Sequence, residues 1–272
     1  MLRNIYTHGY HPSVLRSHSK RTVRNSAAFV LPFLKDGMRI LDIGCGPGTI
    51  TIDFARMLPQ AQVIGIDMSK DVINIAEENA RRAKIKNVQF EVGDIHTLQQ
   101  PKNNFDMVFA HQVLQYVKDP VECLTLMKSF AKSESGFVAA RESILAAFAW
   151  CPETANMSQW QRIYSAVAYA NGGEPNAGKY LHRWARRAGF RPDKILKGSS
   201  TTLFCDEEDI KWWSSLWAER ILKSRFYQTV LTNKIAKPEE LKAISKGWID
   251  WAASEDCWFL LVRGEIIAFN GE

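Results

Sequence analysis

The segment at residues 38–48, MRILDIGCGPG, constrains the fold of this chain more than any other stretch. A short apolar run ends there in an acidic residue and a glycine-rich turn, and residues 49–58 then carry apolar side chains at helical spacing. Strand, tight turn and helix in this order form the first half of a nucleotide-binding βαβ unit. Gly44, Gly46 and Gly48 lack a Cβ atom, so the chain can turn sharply and a ligand can approach its backbone.

The spacing of these glycines separates two classes of ligand. A dinucleotide fingerprint requires G-x-G-x-x-G, whereas this loop reads G-x-G-x-G, with Pro47 between the last two glycines and Thr49 after them. Asp42 precedes the loop, where a carboxylate would repel a pyrophosphate but could help to hold an ammonium group through loop amides or water. The next apolar run ends in Asp67, where an acidic residue binds ribose hydroxyls. A cationic amino-acid head joined to a ribose describes S-adenosylmethionine.

The pairing of LDIGCGPG with GIDMS resembles the class I S-adenosylmethionine-dependent methyltransferases. Residues 105–116, FDMVFAHQVLQY, look like the ubiquinone/menaquinone C-methyltransferase-like group of small-molecule enzymes. They lack the Asn-Pro-Pro-Tyr type of motif by which many nucleic-acid and glutamine N-methyltransferases hold a planar amine. The resemblance covers residues 36–142 and is weaker elsewhere, so it identifies the cofactor but not the acceptor.

Regular alternation of strands and helices predicts parallel strands, right-handed crossovers and helices on both faces of a sheet. The resemblance implies a seven-stranded, mostly parallel, doubly wound Rossmann-like methyltransferase sheet with helical cap insertions. The first five predicted strands span residues 38–43, 62–66, 88–92, 105–110 and 136–141, and the helices between them span 49–58, 70–84 and 121–131. Later segments add a helix at residues 178–189, a strand at 194–204 and a hairpin-like strand at 258–269.

We expect one methyltransferase domain over residues 1–272, with parts that differ in role. All nine tryptophans lie at or after position 150; most are expected in the core, and one or two could line a pocket for a flat or apolar acceptor. The sequence NGGEPNAG at residues 171–178 looks like a loose linker. The parts are an N-terminal helical lid at 1–36, which includes a helical stretch at 26–34, a cofactor-binding core at 37–142, helical cap insertions at 143–177 and 206–254, and the remaining core at 178–205 and 255–272.

Polar residues recur at the carboxyl ends of the predicted strands, where doubly wound sheets bind ligands. Asp67 can accept from both ribose hydroxyls. The resemblance implies that Met68 and Ile95 enclose the adenine and that Asp94 accepts from its exocyclic amine. The complete set of predicted cofactor-binding residues is Asp42, Gly44, Cys45, Gly46, Asp67, Met68, Gly93, Asp94, Ile95, Ala110, His111 and Gln112.

Catalytic residues are harder to identify, because methyl transfer from an activated donor needs little beyond alignment and desolvation. His111 is the candidate general base or orienting group. From the lid, Tyr6 and His8 are the candidates to face the pocket, and the Tyr6 ring could attract the sulfonium. Arg21 and Arg24 either steer an acidic acceptor or lie on a solvated helix face.

The positive charge of the chain is concentrated at the N-terminus. The formal net charge is +6, but residues 1–35 contain six Lys and Arg and no Asp or Glu, so the remainder holds 29 residues of each sign. Such a segment also resembles a mitochondrial transit peptide; we assign it to the lid and expect a cytoplasmic protein. Five cysteines form no C-x-x-C pair, so neither a metal site nor a disulfide framework is expected. No apolar run reaches about 18 residues, so no membrane span is expected.

The leading hypothesis is methylation of a small molecule, for which an aromatic or apolar compound is a candidate, with S-adenosylmethionine as donor and no nucleic-acid partner. A non-catalytic methyltransferase-like partner subunit would carry a damaged cofactor loop, but Asp42, Gly44, Gly46 and Asp67 are intact. An RNA methyltransferase is favoured only by the basic N-terminus, and its binding should fall steeply with salt. A nicotinamide-dependent reductase is disfavoured by the glycine spacing and by Asp42.

Overall fold

Five parallel strands form the half of the sheet that carries the glycine loop. In the computed structural model, which describes residue 9 and residues 11–271, they are β1 (Arg39–Ile43), β2 (Gln62–Asp67), β3 (Val88–Val92), β4 (Met107–His111) and β5 (Phe137–Ser143). Their order is β3-β2-β1-β4-β5. The strand order reverses between β1 and β4, so the carboxyl ends of these two strands flank the crevice where such sheets bind ligands.

The basic N-terminal segment forms two short helices, α1 (Pro12–Ser19) and α2 (Val23–Ser26), and a 3-10 helix at Ala28–Phe33. Of these, α2 and the 3-10 helix pack onto this sheet. The helical stretch predicted over residues 26–34 is this 3-10 helix, which includes Pro32. The predicted lid residues Tyr6 and His8 lie outside the described residues.

Three crossover helices follow their predicted bounds within one residue: α3 (Thr49–Met57), α4 (Lys70–Ala83) and α5 (Pro120–Phe130). Local signals define where they start. The Ser69 side chain accepts from the N–H of the third residue of α4, and Asp119 caps α5 in the same way. By contrast, the fourth strand starts two residues later than predicted, because Phe105 makes only an isolated bridge to Ala131.

The C-terminal half adds three strands and five helices. β8 (Trp258–Phe269) pairs antiparallel with β5 and β6 (Ala149–Cys151) on one side and with β7 (Ile195–Phe204) on the other. The result is an eight-stranded sheet in which only the first five strands are parallel. No helix in the described part of the chain is long and apolar enough to cross a membrane. The added elements are β6 (Ala149–Cys151), α6 (Ala155–Ala170), α7 (Leu181–Arg187), β7 (Ile195–Phe204), α8 (Glu207–Lys223), α9 (Arg225–Thr232), α10 (Pro238–Ala252) and β8 (Trp258–Phe269).

Two predictions for this half are wrong. β8 is one continuous strand rather than a hairpin, because the chain does not turn at Gly264. This glycine instead allows the backbone of Gly178 to approach, since a Cβ on Gly264 would lie 2.2 Å from the Gly178 carbonyl oxygen. The segment 171–178 is a packed turn rather than a loose linker. The Glu174 N–H donates to the Gln115 carbonyl at 2.9 Å, and a Cβ on Gly173 would lie 2.4 Å from the same oxygen.

Buried apolar residues form three clusters around the sheet. One lies on the face covered by α5 and α7. On the opposite face, one cluster joins the sheet to α2 and α3, and the other, which we call the cap cluster, joins α6, α8, α9 and α10 to Phe259 and Leu261 of β8. Five of the nine tryptophans are buried, in agreement with the expectation that most serve the core. The centre of the cap cluster is Trp160, whose ring lies 4.8 Å from Trp217 and 5.0 Å from Trp248.

Candidate active site

The glycine loop after β1 forms one wall of a cavity at the carboxyl ends of the parallel strands. We call it the first cavity; its volume is about 250 Å³. Gly44 has a φ of 69°, and a Cβ on it would lie 2.5 Å from Cγ2 of Val113, so only glycine fits between the loop and the segment after β4. The Cys45 N–H donates to the Ile66 carbonyl at 2.9 Å, which ties the loop to β2.

Asp67 lies at the end of β2, on the floor of the first cavity, and bonds to the backbone of the two loops beside it. One of its carboxylate oxygens accepts from the Gly46 N–H at 3.1 Å and the other from the Ser69 N–H at 3.0 Å. Next to it, Met68 leaves 48% of its surface exposed at the cavity edge. The predicted cofactor-binding residues that line this cavity are Asp42, Gly44, Cys45, Gly46, Asp67, Met68, Gly93, Asp94, Ile95, His111 and Gln112.

Ala110 is the one predicted residue that does not line the first cavity. Its side chain is completely buried in the sheet, in the cluster beneath α5. In β4 successive side chains alternate between the faces of the sheet, and the strand continues one residue further than predicted, so His111 and Gln112 reach the cavity instead.

Asp42 is a buried carboxyl group at the base of the first cavity. It accepts a hydrogen bond from Oγ1 of Thr51 at 2.6 Å. Burial raises the pKa of Asp42 from 3.8 to about 7; the charge of Asp67 adds to the rise, and the Thr51 bond opposes it. The carboxyl group therefore titrates near neutral pH, and a cation bound beside it would favour the ionised form.

His111 lies between the first cavity and a second one, and its hydrogen bond fixes its tautomer. Nε2 lies 3.0 Å from Nη1 of Arg141, and a guanidinium group only donates, so Nε2 accepts and Nδ1 carries the proton. Burial, together with the nearby Arg21, Arg141 and Arg263, lowers the pKa of His111 well below its ordinary value. A neutral imidazole of this tautomer presents an N–H donor, which suits an orienting group better than a general base.

Gln112 holds an unusual backbone conformation next to His111. Its φ is 55°, its N–H donates to the Arg141 carbonyl at 2.9 Å, and its side-chain amide donates to Oγ of Ser143 at 2.9 Å. Its amide oxygen accepts from the guanidinium of Arg21. The side chain thus ties the N-terminal segment to β5 across the junction of the two cavities.

Glu142 holds the segment after β4 in place through hydrogen bonds to its backbone. The sequence analysis did not identify this residue. Its buried carboxylate accepts from the N–H groups of Val113 at 2.8 Å, Leu114 at 2.7 Å and Gln115 at 3.3 Å. Burial raises its pKa to about 8, although these three bonds act in the opposite direction. The signal available in the sequence was the adjacent pair Arg141 and Glu142 inside an otherwise apolar strand, since charged residues are rarely buried without partners.

The second cavity, of about 240 Å³, lies between the sheet, the end of α1 and the cap helices α6 and α8. Five of its residues also line the first cavity, so the two are contiguous. Arg21 lines both, whereas Arg24 is exposed and lines neither. Sequence reasoning did not anticipate Arg141, Tyr164 or Arg263 here, because β5, α6 and β8 lie far apart in the chain. The shared residues are His18, Arg21, His111, Gln112 and Tyr116.

The chain is similar to known methyltransferases over its whole length. Residues 34–189 match the methyltransferase domain family. The chain is 33% identical to an uncharacterized methyltransferase of Schizosaccharomyces pombe over 271 residues, 96% of this chain and 95% of that protein. It is 36% identical to a ubiquinone biosynthesis O-methyltransferase of Albidiferax ferrireducens over 98 residues, 34% of this chain and 38% of that enzyme.

A solved structure supports the same fold. Phosphoethanolamine N-methyltransferase 2 of Haemonchus contortus, in complex with phosphomonomethylethanolamine and S-adenosylhomocysteine, superposes with a TM-score of 0.54. The two chains are 18% identical, and the superposition covers 90% of this chain and 52% of that one. At this level of identity the likeness concerns the fold alone.

The chemistry of the first cavity fits S-adenosylmethionine. Asp67 offers carboxylate oxygens of the kind that accept from ribose hydroxyls, Gly44 allows close approach to the loop, and Asp42 places a second carboxyl group at the base of the cavity. In the described part of the chain, no group of three or more His, Cys, Asp or Glu side chains is arranged to hold a metal ion. The chain belongs to the methyltransferase domain family and is an S-adenosylmethionine-dependent methyltransferase.

Proposed function

We propose that this methyltransferase acts on a small-molecule acceptor, which it binds in the second cavity. The observation that carries the proposal is the junction of the two cavities, where His111, Gln112 and Tyr116 line both. An acceptor on one side of this junction faces a donor on the other. The similarity of one third of the chain to an enzyme named for ubiquinone biosynthesis also favours a small molecule.

The cofactor-binding roles predicted from the sequence form part of this proposal. Asp67 accepts from the ribose hydroxyls, Met68 and Ile95 lie against the adenine, and Asp94 accepts from its amino group. Asp42 interacts with the ammonium group of the amino-acid portion through loop amides or water. What supports these roles is that the side chains line a single cavity at the predicted strand ends.

Alignment of the acceptor and exclusion of water are the contributions that we assign to the chain itself. When bound, S-adenosylmethionine supplies a sulfonium methyl group that an acceptor nucleophile attacks in line, and the electron pair of the broken S–C bond returns to sulfur. His111, Gln112 and Tyr116 line the junction and position the acceptor, and the cap helices exclude water. Positioning of this kind is worth about 7–11 kcal/mol when it is ideal.

The N-terminal segment supports an enzyme of small molecules over one of RNA. Its backbone is built into the site: Oγ1 of Thr49 donates to the His18 carbonyl at 3.1 Å, and the Val23 N–H donates to Asp53 at 2.8 Å. His18 and Arg21 of this segment line both cavities, so we propose that the segment forms part of the active site.

Calorimetric titration with S-adenosylhomocysteine, S-adenosylmethionine and NADH tests the assignment of the cofactor site. We expect both adenosyl ligands to bind and NADH not to bind. Asp67→Asn should weaken adenosyl binding by about 10- to 100-fold, the worth of hydrogen bonds to a charged group. The matched control is Asp71→Asn, which makes the same charge change on the exposed side of α4.

The outcomes of this titration separate the rival functions. A folded, ligand-free protein that binds neither adenosyl compound would contradict the enzyme function and favour a partner subunit. Equal affinities in Asp67→Asn and Asp71→Asn would contradict the assigned role of Asp67. For the acceptor, transfer of labelled methyl groups to RNA, with a rate that falls steeply as salt increases, would contradict the small-molecule proposal.

A further inference from the structure

The second cavity carries a surplus of basic side chains. Lys20, Arg21, Arg141, Arg220 and Arg263 line it, against one carboxylate, Asp209. Lys20 lies 3.1 Å from Asp209, and Arg141 lies 3.0 Å from Glu265. The cavity is therefore electropositive where it borders the sheet.

Arg263 is a buried cation that has no carboxylate bonded to it in the described part of the chain. Only 8% of its surface is exposed, and no carboxylate of the described residues lies within 4.0 Å of its guanidinium group. Nη1 donates to Oγ1 of Thr202 at 2.8 Å, and the buried Nε has no partner. Glu265 attracts Arg263 from a greater distance, but it is already bonded to Arg141 and Ser200. Such burial is costly unless a ligand supplies the counter-charge.

The fold creates this site by interrupting an apolar sheet face with polar residues. Along β8, Phe259 and Leu261 pack into the cap cluster and Ile267 packs beneath α2 and α3, and Arg263 lies between them on the same face. Its neighbours across the sheet are Ser143 on β5 and Ser200 on β7. The guanidinium group thus stands between two apolar clusters, on the floor of the second cavity.

The remaining walls are aromatic. Phe148, Tyr164, Trp213 and Trp217 line the cap side of the cavity, opposite Arg141 and Arg263, and Arg220 of α8 lies 4.7 Å from the Trp217 ring. A ligand that fills the cavity must therefore place an anionic group at the sheet and an apolar or flat portion against the cap. The planar fork of a guanidinium group matches a carboxylate.

We propose that the acceptor is a carboxylic acid with an aromatic or other flat apolar portion, whose carboxylate binds Arg263 with Arg21 and Arg141 nearby. This inference rests on the proposed function, because it defines the acceptor of the same enzyme. Arg263 is a specificity-determining residue here. It holds the carboxylate of the acceptor, while His111 and Gln112 line the junction with the first cavity.

The test is a comparison of an acid with its neutral counterpart. The full chain is saturated with S-adenosylhomocysteine and titrated with 3-phenylpropionate or with 3-phenylpropionamide, and binding is followed by tryptophan fluorescence, since Trp213 and Trp217 line the cavity. We expect the acid to bind about 10- to 100-fold more tightly than the amide. In Arg263→Gln the acid should lose this advantage, while affinity for the amide is unchanged. Arg24→Gln, which removes an exposed cation, should retain it.

Thermal unfolding distinguishes recognition from a structural role. Removing a buried charge that lacks a counter-ion should leave the melting temperature of Arg263→Gln unchanged or raise it, whereas a structural arginine would lower it. The proposal is overturned if the wild type binds the amide as tightly as the acid, if it does not bind the acid, or if Arg263→Gln retains the preference. Binding of S-adenosylhomocysteine in the same samples shows whether the cofactor site, and with it the proposed function, stands independently.

Discussion

At the scale of single residues, burial moves the key side chains toward their neutral forms. The pKa of Asp42 is raised to about 7 and that of Glu142 to about 8, and the pKa of His111 is lowered. Asp42 and His111 both line the first cavity. The binding of a charged ligand there should therefore be coupled to proton exchange with solvent.

The affinity for S-adenosylhomocysteine is expected to rise with pH through about 7. In the free protein Asp42 is half protonated near that pH, and the ammonium group of the ligand lowers the Asp42 pKa, so binding releases protons. Thr51→Val removes a hydrogen bond that lowers this pKa and should shift the rise to higher pH, whereas Thr51→Ser keeps the hydroxyl group. Calorimetry in two buffers of different ionisation enthalpy measures the protons released; proton uptake, or an affinity independent of pH, would contradict the assignment.

At the scale of elements, predictions succeed where the defining signal is local. α3, α4 and α5 follow their predicted bounds because their caps and apolar periods lie within the segment itself. The first cavity is predictable for the same reason, since its residues sit in two motifs and at strand ends. The continuous β8 and the second cavity are not, because they depend on contacts between distant segments. The backbone of Gly264 contacts that of Gly178, and Arg263 donates a hydrogen bond to Thr202.

The loop that precedes α3 should tolerate no side chain at Gly48. Its φ is 75°, and a Cβ there would lie 2.6 Å from Phe90 and 2.9 Å from Ala76. Gly37→Ala is the matched control, because Gly37 has a φ of 82° and nothing within 4 Å of the added Cβ. The control should lose about 1–2 kcal/mol of unfolding free energy through backbone strain alone, and Gly48→Ala about 1–3 kcal/mol more through overpacking. Equal losses in denaturant titrations would disprove the close packing.

At the scale of the whole molecule, β8 unites the sheet and the cap. Phe259 and Leu261 belong to the cap cluster, Ile267 to the cluster beneath α2 and α3, and Ile266 and Ala268 to the cluster on the opposite face. The insertions after β5 and β7 therefore share a strand with the rest of the fold. We expect the chain to unfold as a single domain.

A substitution at the centre of the cap should accordingly destabilise the entire chain. Trp160→Phe leaves a gap among rings that lie about 5 Å away and should lower the free energy of unfolding by about 1–3 kcal/mol. The control Trp258→Phe, at a half-buried position outside the cap cluster, should lower it by less. All tryptophans lie at or after position 150, so their fluorescence reports the C-terminal half, while far-UV circular dichroism reports both halves. The two transitions should coincide and shift together; separate midpoints would mean that the cap unfolds alone.

The five residues shared by the two cavities make the ligands thermodynamically interdependent. Arg21 and Gln112 are bonded to each other across the junction, so a ligand that orders this pair from one side changes the free energy of binding on the other. Linkage requires the effect to be reciprocal. If the bound donor raises the affinity for the acceptor by some factor, the bound acceptor raises the affinity for the donor by the same factor. The junction thereby gives the enzyme a means to favour the ternary complex over either binary one.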